Sequence, residues 1–192
     1  SNAMLATKIS FMNEISNICD LLNIDVMNVR EGMGSDPRIG FNFINPGCGY
    51  GGSCFPKDVK ALINSANQVS FESHVLKAVD LRNTVQKEYL ANKVIAYFGE
   101  STRKTVTVLG LAFKPGTDDI REASSVTIIN KLIENGFTIK AHDPVAKSKV
   151  ENLFLKQKPS ISFYDDQYDA LKDSDALLLI TEWNVYKEIN LN

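Results

Sequence analysis

The chain has 192 residues, a net charge of −2 at pH 7 and two histidines. Its weakly acidic balance gives no basic field for nucleic acid, and its apolar runs are too short for a membrane span, so both partners are excluded. Three cysteines at irregular spacing fit a reducing, cytoplasmic environment better than a disulfide framework. With so few histidines and no Cys-x-x-Cys, a metal site is not expected.

The N-terminal part is predicted to be helical. Apolar residues at steps of three and four predict an amphipathic helix over 5–22, with Cys19 on the apolar stripe that faces the core. A second, short helix is expected over 24–30. The first three residues, Ser1-Asn2-Ala3, look like the remnant of an expression tag, and we exclude them from the predicted fold.

A long stretch without glycine or proline, 57–98, predicts further helical structure. It is too long for one globular helix, and 69–71 is a plausible break, so we expect one helix to about residue 67 and another over 73–98. Apolar residues of the second helix are expected to face a core or a partner subunit: Val75, Val79, Leu81, Val85, Tyr89 and Val94.

Strand and helix patterns alternate after Gly99. The predicted strands are 105–109, 137–141, 161–163 and 176–180, and the predicted helices are 124–135, 145–156 and 166–172. This alternation predicts a parallel sheet, and the wholly apolar last strand suits a position covered on both faces. The predicted fold class is therefore α/β. An all-helical central domain (4–100) is joined by the long helix to a Rossmann-like, doubly wound domain (101–192), with the boundary near 99–102.

The most informative stretch is a glycine-rich loop that leads into a helix, Asn45-Pro46-Gly47-Cys48-Gly49-Tyr50-Gly51-Gly52-Ser53-Cys54-Phe55-Pro56-Lys57-Asp58. Pro56 suits the first helical position, which makes Cys54 or Phe55 the expected N-cap. The positive helix end and Lys57 would favour the Cys54 thiolate, and Asp58 lies about one turn further on. The alternative is an ordinary turn with a small buried cysteine. The density of glycines before Cys-x-x-Lys-Asp favours a functional site.

Outside this loop, the residue patterns are less specific. Gly110 follows a predicted strand, but the sequence after it does not fit G-x-G-x-x-G, so no dinucleotide site is predicted there. Lys114 and Arg121 either face a ligand at the carboxyl end of the sheet or are solvated, with Asp118-Asp119 capping the next helix. The remaining candidates are expected to be structural or solvent-exposed: Cys48, His74, His142, Asp143 in a turn, and Trp183.

Motifs along nearly the whole chain resemble the UDP-glucose/GDP-mannose dehydrogenase family, and within it the enzymes that act on UDP-glucose. Besides the cysteine loop, they are Lys8-Ile9-Ser10-Phe11-Met12-Asn13-Glu14, Asp36-Pro37-Arg38-Ile39-Gly40, Gly110-Leu111-Ala112-Phe113-Lys114-Pro115-Gly116-Thr117-Asp118-Asp119-Ile120-Arg121 and Thr181-Glu182-Trp183. The resemblance implies a cytoplasmic, NAD-dependent homodimer, formed through the long helix. It oxidises the C6 alcohol of a nucleotide sugar to an acid in two hydride transfers.

The resemblance also implies roles for individual residues. Cys54 would add to the aldehyde intermediate, giving a thiohemiacetal and then a thioester, and Asp58 would position or deprotonate the hydrolytic water. The residues implied to bind the nucleotide sugar are Phe43, Ile44, Asn45, Pro46, Gly47, Gly51, Lys114 and, from the neighbouring subunit, Arg38. Lys57 and Arg121 are implied to approach NAD.

The chain departs from the family pattern at both ends. The main NAD-binding domain with G-x-G-x-x-G is absent, together with the glutamate and threonine that the family carries there. The family's oxyanion-stabilising lysine is absent too, and its asparagine falls at Asn2, which we attribute to coincidence because Asn2 belongs to the apparent tag. The final strand of the family also lies beyond the last residue. We therefore expect no turnover of UDP-glucose by this chain alone.

Three other functions remain open. GDP-mannose or a UDP-N-acetylhexosamine is an alternative substrate, because the loop sequence is a weak indicator of which nucleotide sugar binds. A non-catalytic module that dimerises or binds nucleotide sugars is the second alternative, although it would not need Cys54, Lys57 and Asp58. A cysteine hydrolase is the third, and it would require a histidine base in a context that neither His74 nor His142 provides.

Overall fold

The computed structural model describes residues 1–99, 104–155 and 159–190. The chain forms two compact units, Ser1–Lys87 and Glu88–Asn192, so the division falls inside the long helix, earlier than the predicted boundary near 99–102. The last turns of that helix belong to the second unit because the Phe98 ring packs on Phe137, with centroids 5.9 Å apart. Residues 100–103 of the predicted boundary region lie outside the described residues.

The first unit is helical, as predicted. Its helices are α1 (Asn2–Leu22), α2 (Val26–Gly34), α3 (Cys54–Gln68) and α4 (His74–Phe98), which continues into the second unit. The apparent tag remnant, residues 1–3, extends the first helix toward its N-terminus. Helix α1 begins at Asn2, and Ala3 packs against the apolar cluster that contains Ala6 and Val59.

The predicted break between α3 and α4 is confirmed. Ser70 has a positive φ of 56°, which ends the helical path before α4 begins. The apolar residues of α4 divide into two groups. Val79 and Val94 are buried, whereas Val75, Leu81 and Val85 are exposed.

The second unit is a parallel α/β sheet. Its elements are β1 (Thr105–Leu109), α5 (Ser124–Glu134), β2 (Thr138–His142), α6 (Lys147–Leu153), β3 (Ile161–Phe163), α7 (Gln167–Leu171) and β4 (Ala176–Leu179). The strand order is β3-β2-β1-β4, and every pairing is parallel. The central strands are covered because Val106, Val108 and Ile139 are fully buried. The predicted α/β class is therefore confirmed.

Two details of this unit differ from the predictions. Strand β4 is not covered on both faces, since Leu179 is 49% exposed; within the described sheet β4 pairs with β1 alone. Helix α6 ends at Leu153, and Lys156, where the predicted helix ended, lies outside the described residues. In the part of the chain that the structure describes, no helix is both long and apolar enough to cross a membrane.

Candidate functional site

Side-chain amides hold the glycine-rich loop of residues 45–53. The Asn13 Oδ1 accepts the Gly47 N–H at 2.8 Å, and the Gln86 Nε2 donates to the Gly47 carbonyl at 2.7 Å. Asn83 brackets Tyr50 in the same way, with its Oδ1 accepting the N–H at 2.8 Å and its Nδ2 donating to the carbonyl at 3.0 Å. All three amide residues are buried. Side chains of two helices thus act as hydrogen-bond partners for loop N–H and carbonyl groups that have no partner in regular secondary structure.

The close approach of α4 to the loop explains why residue 49 is a glycine. Gly49 has φ +96°, and a Cβ placed on it would lie 3.0 Å from the Asn83 Oδ1 and 3.1 Å from a side-chain carbon of Lys87. Both the conformation and the space therefore require glycine.

The loop forms one wall of a cavity of about 380 Å³. Its lining residues are Phe43, Asn45, Gly47, Gly49 and Tyr50 from the loop region and Ile9 and Asn13 from α1. Phe43 has φ +64°, a conformation that is strained for a residue with a Cβ. Of the residues implied to bind the sugar, the structure brings Phe43, Asn45 and Gly47 to this cavity.

Three other residues implied to bind the sugar lie elsewhere. Ile44 and Gly51 are buried, Pro46 is half-buried, and none of them lines the cavity. Arg38 is exposed, and its Nη2 lies 2.6 Å from the Asp36 Oδ2. Within this chain the structure therefore does not bring Arg38 to the cavity, and its role toward a neighbouring subunit stays a prediction.

Cys54 is the first residue of α3 and is exposed. The N-cap is Ser53, so the predicted N-cap at Cys54 or Phe55 is wrong. Pro56 then falls inside the first turn, where its missing N–H costs nothing because first-turn N–H groups have no intrahelical acceptor. Phe55 packs edge-on against Phe43 and Tyr50, with centroids 6.0 and 5.9 Å away. Aromatic contacts thus connect the start of α3 to the cavity wall.

Asp58 lies one helical turn after Cys54, as predicted, and has two polar neighbours. The Asn2 Nδ2 donates to the Asp58 Oδ2 at 2.7 Å, and the Lys57 Nζ lies 3.3 Å from the Asp58 Oδ1. The hydrogen bond from Asn2, followed by that from Lys57, lowers the pKa of the Asp58 carboxyl. The arrangement offers an exposed thiol, an ionised carboxylate and a side-chain amide on neighbouring helix starts.

From the sequence, Asn2 is attributed to a tag remnant and its match with the family's asparagine to coincidence. The structure places its side-chain amide on the Asp58 carboxylate at the head of α3.

In the second unit, the two predicted ligand-binding cations lie after β1. Lys114 is exposed, with its Nζ 5.4 Å from the centroid of the Phe113 ring. Arg121 forms a forked ion pair with Asp119, at 2.6 Å between Nη2 and Oδ2, which lowers the pKa of Asp119 to about 2. Asp119 thus pairs with Arg121 and does not cap α5, whose N-cap is Ala123.

The turn after β1 does not fit a dinucleotide. The N–H groups of Leu111 and Ala112 both donate to the Asp143 Oδ2, at 2.6 and 3.1 Å. A dinucleotide-binding turn offers such N–H groups to a pyrophosphate. Here a protein carboxylate already occupies them, which agrees with the absence of G-x-G-x-x-G.

The two histidines have structural or exposed positions. His142 is buried, its Nδ1 lies 2.7 Å from the Tyr186 hydroxyl, and burial lowers its pKa. His74 is exposed beside Glu72 at the start of α4. Among the described residues, no cluster of three or more His, Cys, Asp or Glu is arranged to hold a metal ion.

Two family models match the chain. The central domain of the UDP-glucose/GDP-mannose dehydrogenase family matches residues 1–85, and the UDP binding domain of the same family matches residues 107–192. The first match begins at residue 1 and so includes Asn2.

Individual relatives agree with these matches. The chain is 49% identical to a UDP-glucose 6-dehydrogenase of Pseudomonas aeruginosa, with 98% of this chain and 42% of the relative covered. It is 44% identical to UDP-glucose 6-dehydrogenase YwqF of Bacillus subtilis, with 100% and 43% covered. A solved UDP-glucose dehydrogenase from the archaeon Pyrobaculum islandicum matches with a TM-score of 0.93 at 35% identity, with 100% and 44% covered. The chain thus spans less than half the length of these relatives.

Proposed function

Because the chain belongs to the UDP-glucose/GDP-mannose dehydrogenase family, we propose that it is the cysteine-bearing, substrate-binding part of a UDP-glucose 6-dehydrogenase. One observation carries this proposal. At the head of α3, Asp58 lies one turn from the exposed Cys54 and pairs with Lys57, at 3.3 Å between the Asp58 Oδ1 and the Lys57 Nζ. A module that only dimerised or bound a nucleotide would need none of these three side chains.

The proposed reaction converts the C6 alcohol of the sugar to a carboxylate in two hydride transfers. NAD, when bound, supplies the hydride acceptor. Cys54 acts on the sugar between these transfers, when its thiolate sulfur adds to the C6 aldehyde carbon and forms a C–S bond. The aldehyde is then held as a thiohemiacetal and does not escape. An exposed position at the positive end of α3 suits an attacking thiolate.

Asp58 and Asn2 complete this chemistry. After the second oxidation the sugar is an acyl group on Cys54, and water must cleave the C–S bond to release the acid. Asp58, ionised near neutral pH, positions that water or accepts its proton. Asn2 donates an amide hydrogen to Asp58 and so holds the carboxylate in place.

The cavity of about 380 Å³ is the proposed sugar-nucleotide site of the first unit. Asn13 lines it, and among the described residues the buried Asn13 Nδ2 has no hydrogen-bond partner, which suits a ligand with acceptor oxygens. Lys114 is the proposed nucleotide contact in the second unit. UDP-glucose is the proposed substrate because the similar proteins are UDP-glucose 6-dehydrogenases.

The proposed assembly is a cytoplasmic homodimer. It would form through the exposed apolar residues of α4, Val75, Leu81 and Val85. Arg38 would then reach the site of the neighbouring subunit.

Lys57 and Arg121 are the proposed contacts of this chain to NAD. The N–H groups after β1 are bonded to Asp143, so that turn does not hold the cofactor's phosphates. Because the chain spans less than half the length of its relatives, we expect no NADH absorbance when the purified chain is mixed with NAD and UDP-glucose. Appearance of that absorbance would contradict this part of the proposal.

Thermal unfolding in the presence of UDP-glucose, UDP-glucuronate and GDP-mannose tests the substrate. A ligand at about 100 times its Kd adds roughly 2.7 kcal/mol to the free energy of unfolding, which raises the midpoint by several degrees. Stabilisation by the two uridine nucleotides alone supports the proposal. Preferential stabilisation by GDP-mannose favours that alternative substrate, and no shift with any ligand contradicts nucleotide-sugar binding by this chain.

A further inference from the structure

One buried carboxylate joins three loops at the carboxyl edge of the sheet. Asp143 follows β2 and is 3% exposed. Its Oδ2 accepts the N–H groups of Leu111 and Ala112 at 2.6 and 3.1 Å and the Trp183 Nε1–H at 3.0 Å, and its Oδ1 accepts the N–H groups of Val145 and Ala146 at 2.9 and 2.7 Å. A carboxylate removed from water is stable only with such partners. Here the partners come from the loops that follow β1, β2 and β4.

These loops meet where ligands bind in open parallel sheets. The strand order β3-β2-β1-β4 means that the chain leaves β1 toward β2 on one side and returns to β4 on the other. In such sheets the crevice outside the carboxyl ends of the strands, at the point where the order reverses, is the usual ligand site. In this unit that point lies between β1 and β4, and the hydrogen bonds of Asp143 join the loops that follow these two strands.

A cavity of about 450 Å³ lies at this edge. It is lined by Pro115 and Gly116 after β1, by Pro144 after β2, and by Trp183, Asn184 and Val185 after β4. Each of these three lining segments contains, or lies close in sequence to, a residue that donates a hydrogen bond to Asp143. Two further contacts bring the walls together: the Thr181 hydroxyl donates to the Ala112 carbonyl at 2.5 Å, and Gly110 packs directly on Thr181.

We propose that Asp143 is a positioning residue for nucleotide binding by the second unit. It holds the three loops so that the cavity is shaped before the ligand arrives, which removes the cost of ordering them on binding. The ligand is a nucleoside diphosphate, uridine diphosphate in particular, because this unit matches a UDP binding domain. The inference rests on the proposed function and adds the residue that sets the geometry of its nucleotide site.

The test is calorimetric titration of the purified chain with UDP, at a temperature where every variant is shown to be folded. Asp143→Asn replaces one carboxylate oxygen by an amide that cannot accept the N–H groups facing it. Trp183→Phe keeps an aromatic ring, removes the Nε1 donor and makes the side chain smaller. Asp175→Asn is the matched control, because Asp175 also accepts a backbone N–H, that of Thr105 at 2.8 Å, but at the opposite edge of the sheet.

We expect Asp143→Asn to weaken UDP binding about tenfold, because the loops it no longer holds must then be ordered when UDP binds. Trp183→Phe should weaken it about fivefold, for the loss of one hydrogen bond. Asp175→Asn should bind UDP like the unaltered chain, even if its unfolding temperature falls. The affinity of folded protein is the deciding quantity, since a purely structural role of Asp143 would change stability and leave that affinity unchanged.

Unchanged UDP affinity in both site variants would overturn the inference, and so would an equal loss in Asp175→Asn. If Asp143→Asn does not fold, unchanged UDP affinity in Trp183→Phe is sufficient to overturn the inference. Failure of the unaltered chain to bind UDP would instead overturn the proposed function, and the inference would fall with it. Binding by the unaltered chain with no effect of the variants overturns only the inference.

Discussion

The side-chain amide of Asn2 lies 2.7 Å from the carboxylate of Asp58 and thereby joins the first turn of α1 to the first turn of α3. This hydrogen bond is the largest cause of the lowered pKa of Asp58. It holds the carboxylate one helical turn from Cys54, where the proposed thioester hydrolysis needs a group that positions or deprotonates water.

Replacing Asn2 should therefore change how Asp58 titrates. In Asn2→Ala we expect the pKa of Asp58 to rise toward its ordinary value, measured by NMR titration of the side-chain carboxyl carbons. A lowered pKa in the folded chain stabilises it above the unfolded-state pKa, and that contribution is lost as pH falls through the folded-state value. The variant should thus lose less stability than the unaltered chain on acidification.

The control for this prediction is Asn28→Ala, which removes an exposed amide of α2. It should leave the titration of Asp58 unchanged. An unaltered Asp58 titration curve in Asn2→Ala would show that the hydrogen bond does not form in solution.

The three cysteines should differ in their rate of alkylation by iodoacetamide. Cys54 is exposed, Cys48 is partly buried and Cys19 is 4% exposed. Mass spectrometry of the folded chain should show one fast modification, which Cys54→Ser abolishes, while Cys19 reacts only after unfolding. Modification of Cys19 at the rate of Cys54 would contradict the packing of α1.

Loss of the Asn83 amide should destabilise the first unit. Asn83→Ala removes both hydrogen bonds between the Asn83 amide and the Tyr50 backbone, at a cost of roughly 1–3 kcal/mol in the free energy of unfolding. Thr84→Ala is the matched control on the exposed side of α4 and should change it by less than about 0.5 kcal/mol. An equal loss of stability in Asn83→Ala and Thr84→Ala, measured by urea denaturation, would argue against the hydrogen bonds from Asn83 to the loop.

Two glycines of the second unit should differ in their tolerance of alanine. A Cβ on Gly110 would lie 2.5 Å from the Thr181 backbone nitrogen, whereas a Cβ on Gly116 meets nothing within 4 Å. Both glycines have positive φ, which by itself costs alanine about 1–2 kcal/mol. We expect Gly116→Ala to lose about that much stability in urea denaturation and Gly110→Ala to lose clearly more. A loss in Gly110→Ala no larger than in Gly116→Ala would contradict the contact with Thr181.

The periodic elements could be predicted from the sequence because their signals are local. Steps of three and four in α1, and the β-branched run of β1, specify the secondary structure by themselves. The glycine-rich loop and Asp58 could also be located, since the motif is contiguous and one helical turn separates Cys54 from Asp58.

Tertiary hydrogen bonds could not be predicted in this way. The amide of Asn83 reaches Tyr50 across 33 residues, and the carboxylate of Asp143 reaches Leu111 across 32, with no local pattern to indicate either contact. The exposure of Leu179 depends on which strand lies beside β4, which an apolar run does not specify. The contact of Asn2 with Asp58 spans 56 residues and likewise has no local pattern to indicate it.

The most direct test of the central claim is protection of Cys54 by the C6 aldehyde of UDP-glucose. Without NAD, this aldehyde should form a reversible thiohemiacetal with Cys54 and slow its alkylation well beyond any effect of UDP-glucose at the same concentration. Alkylation of Cys54 at the same rate with the aldehyde as with UDP-glucose would contradict the assignment of Cys54 as the nucleophile that holds the sugar.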